Sequence, residues 1–402
     1  MQNGKNATPL SIANSTGPKD HKKLVIYDPA AIATMMENYP GIAVDLGILA
    51  EQALERGPFS VVEKKSVAPS GHLHNYWHPA PYWWPNETTQ DGLPYVKWDG
   101  KRVPGTNYND PESDLYDRNR LESVFKDTTY LAIAARVYND PRFEAHAAAL
   151  VRTWFVCAKT CMTPHLRYAQ VRMGHNDSEG SGAGIIEFRD LFYFLDAVRL
   201  LEGSGALTSE DVAVFRNWLG TYADWLQTSK AGKRECKAVN NHGTFFDVQL
   251  GAIAAYLGDK QLAEQICARL PQRLAEQFDP DGRQPHEVAR ADVRHYVCFN
   301  LYAWTVLARI MRAFGVDLWH MRDANGQGLE SAFAWLIRAD ARHQWSENGT
   351  IMFRTHRMAL LWRDCRAQYA SLQDVPRPSD AALKRVLYPN FDIVPLWGLT
   401  RT

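Results

Sequence analysis

Long segments with apolar residues recurring at three and four positions, joined by turns rich in Pro, Gly and Asn, constrain this chain more than any other feature. Each such segment must bury one face. The spacing predicts helices over Asp28–Glu37, Ile42–Arg56, Arg120–Tyr138, Arg142–Cys161, Gly184–Leu201, Ser209–Gln227, Asn241–Leu257, Lys260–Phe278, Arg294–Phe314 and Leu329–Ile337. Caps such as Thr208-Ser209-Glu210-Asp211 and Asp140-Pro141 mark several starts. Strand-like alternation is scarce. Consecutive helices with short turns read as antiparallel hairpins, and so many in one chain suggest an all-α protein, an α/α toroid around a cleft. A helical solenoid is the competing architecture, but no repeat of fixed period is found.

The toroid accounts for residues 26–402 as one unit, since closed rings of helices keep chains of this length in a single domain. Residues 1–25 are polar and are expected to form a poorly ordered tail. A formal net charge of 0 argues against a broad nucleic-acid surface, and no apolar run is long enough to cross a bilayer. An anionic ligand must therefore meet a local basic patch. The 6 cysteines form no paired C-x-x-C motif and read as buried thiols. Sequons at Asn6, Asn14, Asn86, Asn176 and Asn348 fit a secreted glycoprotein whose signal peptide is absent from this chain.

Two distant stretches carry candidate chemistry. Asn240-Asn241-His242 opens an apolar helix in which Phe246, Leu250, Ile253 and Leu257 form a stripe, and His242 extends that stripe by one turn. Either asparagine is able to cap the helix, and the positive end of the dipole favours a neutral imidazole. Alone, the tripeptide reads equally as a cap beside a packed histidine. Further on, "QPHEVARADVRHYVCFNLYAW" carries Arg290 and Tyr296, with Tyr296, Phe299, Asn300, Ala303, Leu307, Ile310 and Phe314 on a second inward stripe. Arg290 would lie roughly 120° from Tyr296 on a continuous helix, so the two converge only if the chain bends between them. An amide and a guanidinium together polarise a carboxylate, and an imidazole and a phenol transfer protons. That set can remove the proton beside a sugar carboxylate with no metal or other cofactor.

Basic residues flank both stretches: Lys230, Lys233, Arg234 and Lys237 before the first, and Arg283, His286, Arg294 and His295 around the second. They read either as the lining for a polyanion or as a solvated face. Val67–Asp117 is a long segment with little periodicity, containing the aromatic run "HNYWHPAPYWWP". Its rings read as faces for sugars or as a packed strap closing one end of the toroid. Candidate substrate contacts are His74, Asn75, Tyr82 and Trp83 from this run, with Asn240, Gln284, His286 and Arg294 near the catalytic candidates.

"HNYWHPAPYWWP", "DGLPYVKWDG", "NNH" and "QPHEVAR" running on to "HYVCFNLYAW" resemble, in that order over Ser70–Trp304, the alginate lyase superfamily of polysaccharide lyases, nearest polysaccharide lyase family 38. The resemblance implies an α/α toroid that cuts an acidic polysaccharide by metal-independent β-elimination, leaving an unsaturated uronate. It also implies carboxylate neutralisation by Asn241 and Arg290, His242 as base, and Tyr296 as acid or as both acid and base. Asn75 and His78-Pro79-Ala80 depart from residues common in such relatives, which leaves open alginate or glucuronan as substrate. Two other readings compete with a lyase. One is a toroidal glycoside hydrolase using two of Glu187, Asp190, Asp247 and Glu287, and the other is a carbohydrate-binding protein without catalysis.

Overall fold

The computed structural model describes residues 24–98, 101–106, 112–342, 345, 355–374 and 396–401. Five helices succeed one another around the interior: Arg118–Tyr138, Leu191–Ser204, Asn241–Leu257, Val293–Arg312 and Thr355–Gln368, each packed on the next. Pro40–Leu54 and Pro141–Val151 back the first of these from outside, Ser209–Thr228 and Lys260–Gln277 back Asn241–Leu257, and Leu329–Ala341 backs Val293–Arg312. This is an α/α toroid, as the hairpin pattern predicts.

The inner helices explain themselves by composition. Asn241–Leu257 and Val293–Arg312 are buried around most of their circumference, because they pack against neighbours, an outer helix and the floor of the cleft at once. One hydrophobic cluster runs from Leu24 to Leu399 and includes Trp154, Trp304 and Trp319. No helix among the described residues is long and apolar enough to cross a membrane.

Several boundaries differ from those read in the sequence. The helix expected over Arg142–Cys161 ends in a wider turn at Arg152–Val156, and the one expected over Gly184–Leu201 breaks into a tight turn at Gly182–Phe188 before Leu191–Ser204. Within that turn position 184 must be glycine, since a Cβ there would lie 2.3 Å from the carbonyl oxygen of Ala169. Among the described residues, Lys230–Cys236, Pro285–Val288 and Thr355–Gln368 are helices that the apolar spacing does not predict. The segment Val67–Asp117 holds short strands. Trp77–Pro79 pairs in parallel with Tyr168–Val171, and Trp83–Trp84 pairs antiparallel with Val96–Lys97.

The tail expected over residues 1–25 lies outside the described residues as far as 23. Leu24 and Val25 belong to the fold: Leu24 is buried, and the backbone N–H groups of Val25, Ile26 and Tyr27 all donate to the carboxylate of Asp196. Tyr27 pairs with Thr400, so the two ends of the described chain are joined. All six cysteines are free thiols, but only Cys298 and Cys365 are buried: Cys161, Cys236 and Cys267 are half-buried and Cys157 is exposed.

Candidate active site

The two candidate stretches meet because a buried polar network ties their helices together. Asn300 donates to Gln277 and Gln284, each at 2.9 Å, and accepts from Thr244 at 2.8 Å. Gln277 in turn donates to the carbonyl of Asn240 at 3.0 Å and accepts from the Trp304 indole at 2.8 Å. Every member has a partner, which is the condition for a buried polar network to fix one geometry. Gln284 is therefore an internal strut: it is buried and also donates to the carbonyl of Val297, so the substrate contact expected of it is not available.

Asn240 caps the helix, its side-chain oxygen accepting from the His242 N–H at 3.2 Å, which engages that oxygen internally rather than with substrate. Asn241 is released for another role. Its Nδ2 lies 2.9 and 3.1 Å from the two carboxylate oxygens of Glu287, and its backbone N–H donates to the same carboxylate at 2.6 Å. The amide is held from beneath, so its orientation is set before any ligand arrives. Gly243 follows His242 because a Cβ there would lie 2.0 Å from the Ala238 carbonyl. Arg273 fills the adjoining space, binding that carbonyl and the Cys236 carbonyl while paired with Asp247.

His242 is half-buried, and its Nδ1 lies 2.6 Å from Glu235 Oε1. With Nδ1 engaged by a carboxylate, Nε2 is the ring atom left to exchange a proton with a ligand. Glu235 comes from the short helix Lys230–Cys236, within the basic lead-in to the first stretch. The chain does bend after Pro285–Val288, and Arg290 folds back so that its guanidinium carbon sits 3.7 Å from the centre of the Tyr296 ring. Glu287 lies at the hub: the charges of Arg290 and His242 act on it, and its own charge acts on Tyr296.

Burial pushes the Glu287 carboxyl above the usual carboxylate range, against the hydrogen bonds from Asn241 and the charges of Arg290 and His242. Burial likewise pushes the Tyr296 phenol above its ordinary value. Arg290 pulls it down, while Asp292, Tyr82 and Glu287 act with burial. The net direction is upward. Arg294 is turned away onto Asp340 at 2.8 Å and the sulfur of Met358, so it is an anchor for neighbouring elements rather than a substrate contact.

The aromatic run divides in two. Tyr76, Trp77 and His78 are buried as a strap, with Tyr76 and His78 both bound to Glu187. Asn75 belongs to the strap too, wedged between Ser70 and Thr163 with both ends of its amide engaged, which corrects its expected role on substrate. His74 places Nδ1 2.6 Å from the Cys161 carbonyl. Tyr82 and Trp83 are half-buried, and Tyr82 is the residue of the run whose charge reaches Tyr296. His286 stands exposed beside Glu287.

Three of the four carboxylates proposed for a hydrolase are already engaged by other side chains. Asp247 is matched by Arg269 and Arg273, Glu187 by His78 and Tyr76, and Glu287 by Asn241. Among the described residues, no group of three or more His, Cys, Asp or Glu side chains is arranged to hold a metal.

The alginate lyase family profile matches residues 60–345, well over half of the chain. Among solved structures, the chain is similar to an alginate lyase from Bacteroides ovatus, at 31% identity and a TM-score of 0.78, over 89% of this chain and 96% of that one. It is similar in fold to alginate lyase A1-III from Sphingomonas species A1, at 14% identity and a TM-score of 0.51, over 90% of this chain and 92% of that one. A variant of A1-III complexed with tetrasaccharide is similar at 14% identity and a TM-score of 0.52, over 89% of this chain and 91% of that one. No curated protein matches. A matching family profile and a matching fold, around a converged set of amide, guanidinium, imidazole and phenol, have one meaning: the chain belongs to the alginate lyase family and is a polysaccharide lyase.

Proposed function

We propose that this protein cleaves a 1,4-linked uronic-acid polymer, alginate rich in mannuronate or glucuronan, by β-elimination in the manner of polysaccharide lyase family 38, with no metal in the step. The observation that carries the reading is the position of Glu287, which holds Asn241 by its amide and lies within electrostatic reach of Arg290, His242 and Tyr296. The Bacteroides ovatus alginate lyase supports the substrate class.

Asn241 and Arg290 receive the carboxylate of the sugar on the leaving side of the bond. Neutralising that charge lets the electron pair left at C5 delocalise into the carboxyl group, so the C5 proton becomes removable. For a uronate whose C5 hydrogen and leaving oxygen lie on opposite faces of the ring, Nε2 of His242 takes it. The C4–O bond then breaks, the electron pair forms the C4–C5 double bond, and the leaving oxygen takes the proton of the Tyr296 phenol. Tyr296 starts as the neutral acid because burial holds its pKa up. For a uronate whose C5 hydrogen lies on the same face as the leaving oxygen, Arg290 against the ring offers a counter-charge to a phenolate, and Tyr296 serves as both base and acid.

The test is ultraviolet absorbance on polymannuronate, polyguluronate, glucuronan, hyaluronan and pectate, with wild type and His242→Ala. A conjugated double bond forms on at least one 1,4-linked uronan. New reducing ends without absorbance would make the enzyme a hydrolase, and an unimpaired His242→Ala on the preferred polymer assigns both proton transfers to Tyr296.

A further inference from the structure

Arg172 follows the strand Tyr168–Val171 and is half-buried. Its guanidinium carbon lies 4.6 Å from the centre of the Trp83 ring, and His175 packs edge-on against the same indole at 5.0 Å. His175 is itself fixed, with Nε2 2.7 Å from the Tyr95 carbonyl. A guanidinium held against an aromatic face keeps its fork of N–H donors at the edge, directed to whatever lies beside the ring. The Nε of Arg172 is buried without a hydrogen-bond partner. A second guanidinium, that of Arg234, is close enough for its charge to act on Arg172.

Like charges brought together repel, and the usual remedy in this protein is a carboxylate between them, as where Arg269 and Arg273 share Asp247. Among the described residues neither Arg172 nor Arg234 has such a partner. The location gives the pair a use. Arg234 adjoins Glu235, the anchor of His242, and Trp83 adjoins Tyr82, whose charge reaches Tyr296. Each cation is thus one residue or one ring contact removed from a residue that bears on the proton-transfer pair, and neither belongs to the Asn241–Arg290 pair that receives the reacting carboxylate.

We propose that Arg172 and Arg234 form a second carboxylate subsite, with Trp83 as the positioning residue for Arg172. Through it the enzyme reads the charge of a neighbouring uronate in the polymer as well as that of the sugar being cut. This rests on the proposed function, and it assigns substrate selection to residues outside the catalytic set. A polymer with neutral sugars at that neighbouring position loses the second ion pair.

The experiment is calorimetric binding of a mannuronate tetrasaccharide and its methyl-esterified counterpart to the Tyr296→Phe protein, which retains intact substrate. Arg172→Ala and Arg234→Ala are each added to that background. Each weakens binding of the acid about tenfold and leaves binding of the ester unchanged, with Arg172→Lys in between. Arg234 is exposed, so its variant reports even where Arg172→Ala fails to fold. Unchanged affinity for the acid, or an equal loss for acid and ester, overturns the subsite. If wild type cleaves a uronan while these variants bind as the parent does, only the subsite fails. If wild type cleaves no uronan and the parent binds none, the proposed function fails and takes the subsite with it.

Discussion

The helical wall of the cleft and the outer strap over Tyr82–Trp98, beyond the buried Tyr76–His78 part that Glu187 holds, are secured by different forces. On the wall, buried carboxylates set each reactive group: Glu287 fixes the Asn241 amide and Glu235 fixes Nδ1 of His242. On the strap, cations lie over rings: Arg102 on Tyr82 at 5.2 Å, Arg172 on Trp83 at 4.6 Å, and Lys101 on Trp98 at 3.6 Å. A charge-assisted hydrogen bond specifies distance and direction, whereas a cation over a ring tolerates sliding. The contrast suits a division of labour in which the wall performs chemistry that fails with small misplacement and the strap accommodates a polymer.

The contrast breaks first where the wall is cut. Tyr296→Phe removes the proton donor and lowers kcat about 10²–10⁴-fold with helical circular dichroism unchanged; activity near wild type would remove Tyr296 from the mechanism. Next comes Glu235→Gln, whose amide is able to donate to Nδ1 and so leave the proton on Nε2. It is expected to lower kcat about 10²-fold, the effect of a wrong tautomer held in place. A shift in KM alone would show that Glu235 only packs.

Glu287→Gln sharpens the comparison by separating function from stability. It disturbs the grip on Asn241 and lowers kcat about 10²-fold. The folded carboxyl has a raised pKa, so the folded protein binds this proton more tightly than the unfolded chain does. The stability that wild type derives from that proton is fully present below the ordinary carboxylate pKa and is lost as pH rises through the folded value. Thermal melts of Glu287→Gln, which cannot ionise, therefore improve relative to wild type as pH rises through that window; a difference independent of pH would contradict the shift.

Changes to the strap are expected to be smaller and of another kind. Trp83→Ala frees Arg172 and raises KM severalfold with kcat preserved, read from initial rates against polymer concentration. A fall in kcat matching the wall variants would erase the distinction between the two regions. Trp84→Ala, which removes one ring beneath Lys101 and the indole bond to the Lys101 carbonyl, destabilises by only about 1 kcal/mol in thermal melts.

Period and caps were enough to read the toroid, because an inner helix has to be apolar whatever surrounds it. They were not enough to read the breaks. The tight turn at Gly182–Phe188 packs its Gly184 against a strand carbonyl, that of Ala169, that the local pattern does not contain. Catalytic candidates were legible as residue types at helix starts, and the bend that carries Arg290 onto Tyr296 followed from their spacing. Their supports were not. Glu235 sat within a basic run and Glu287 was considered only as a hydrolase carboxylate, since nothing local shows that each faces a residue of another element. Asn75, Gln284 and Arg294 failed as substrate contacts for the converse reason: a polar side chain near a site in sequence is as readily consumed by a buried network or ion pair. Arg172, outside every motif, gave no signal until Trp83 and Arg234 stood beside it.

The most direct test is a crystal structure of the Tyr296→Phe protein with an oligouronide in the cleft. The account predicts one sugar carboxylate between the Asn241 side chain and the Arg290 guanidinium, with C5 of that sugar presented to Nε2 of His242 or to the ring edge of residue 296. An oligosaccharide bound with its carboxylates turned away from both Asn241 and Arg290 would contradict it.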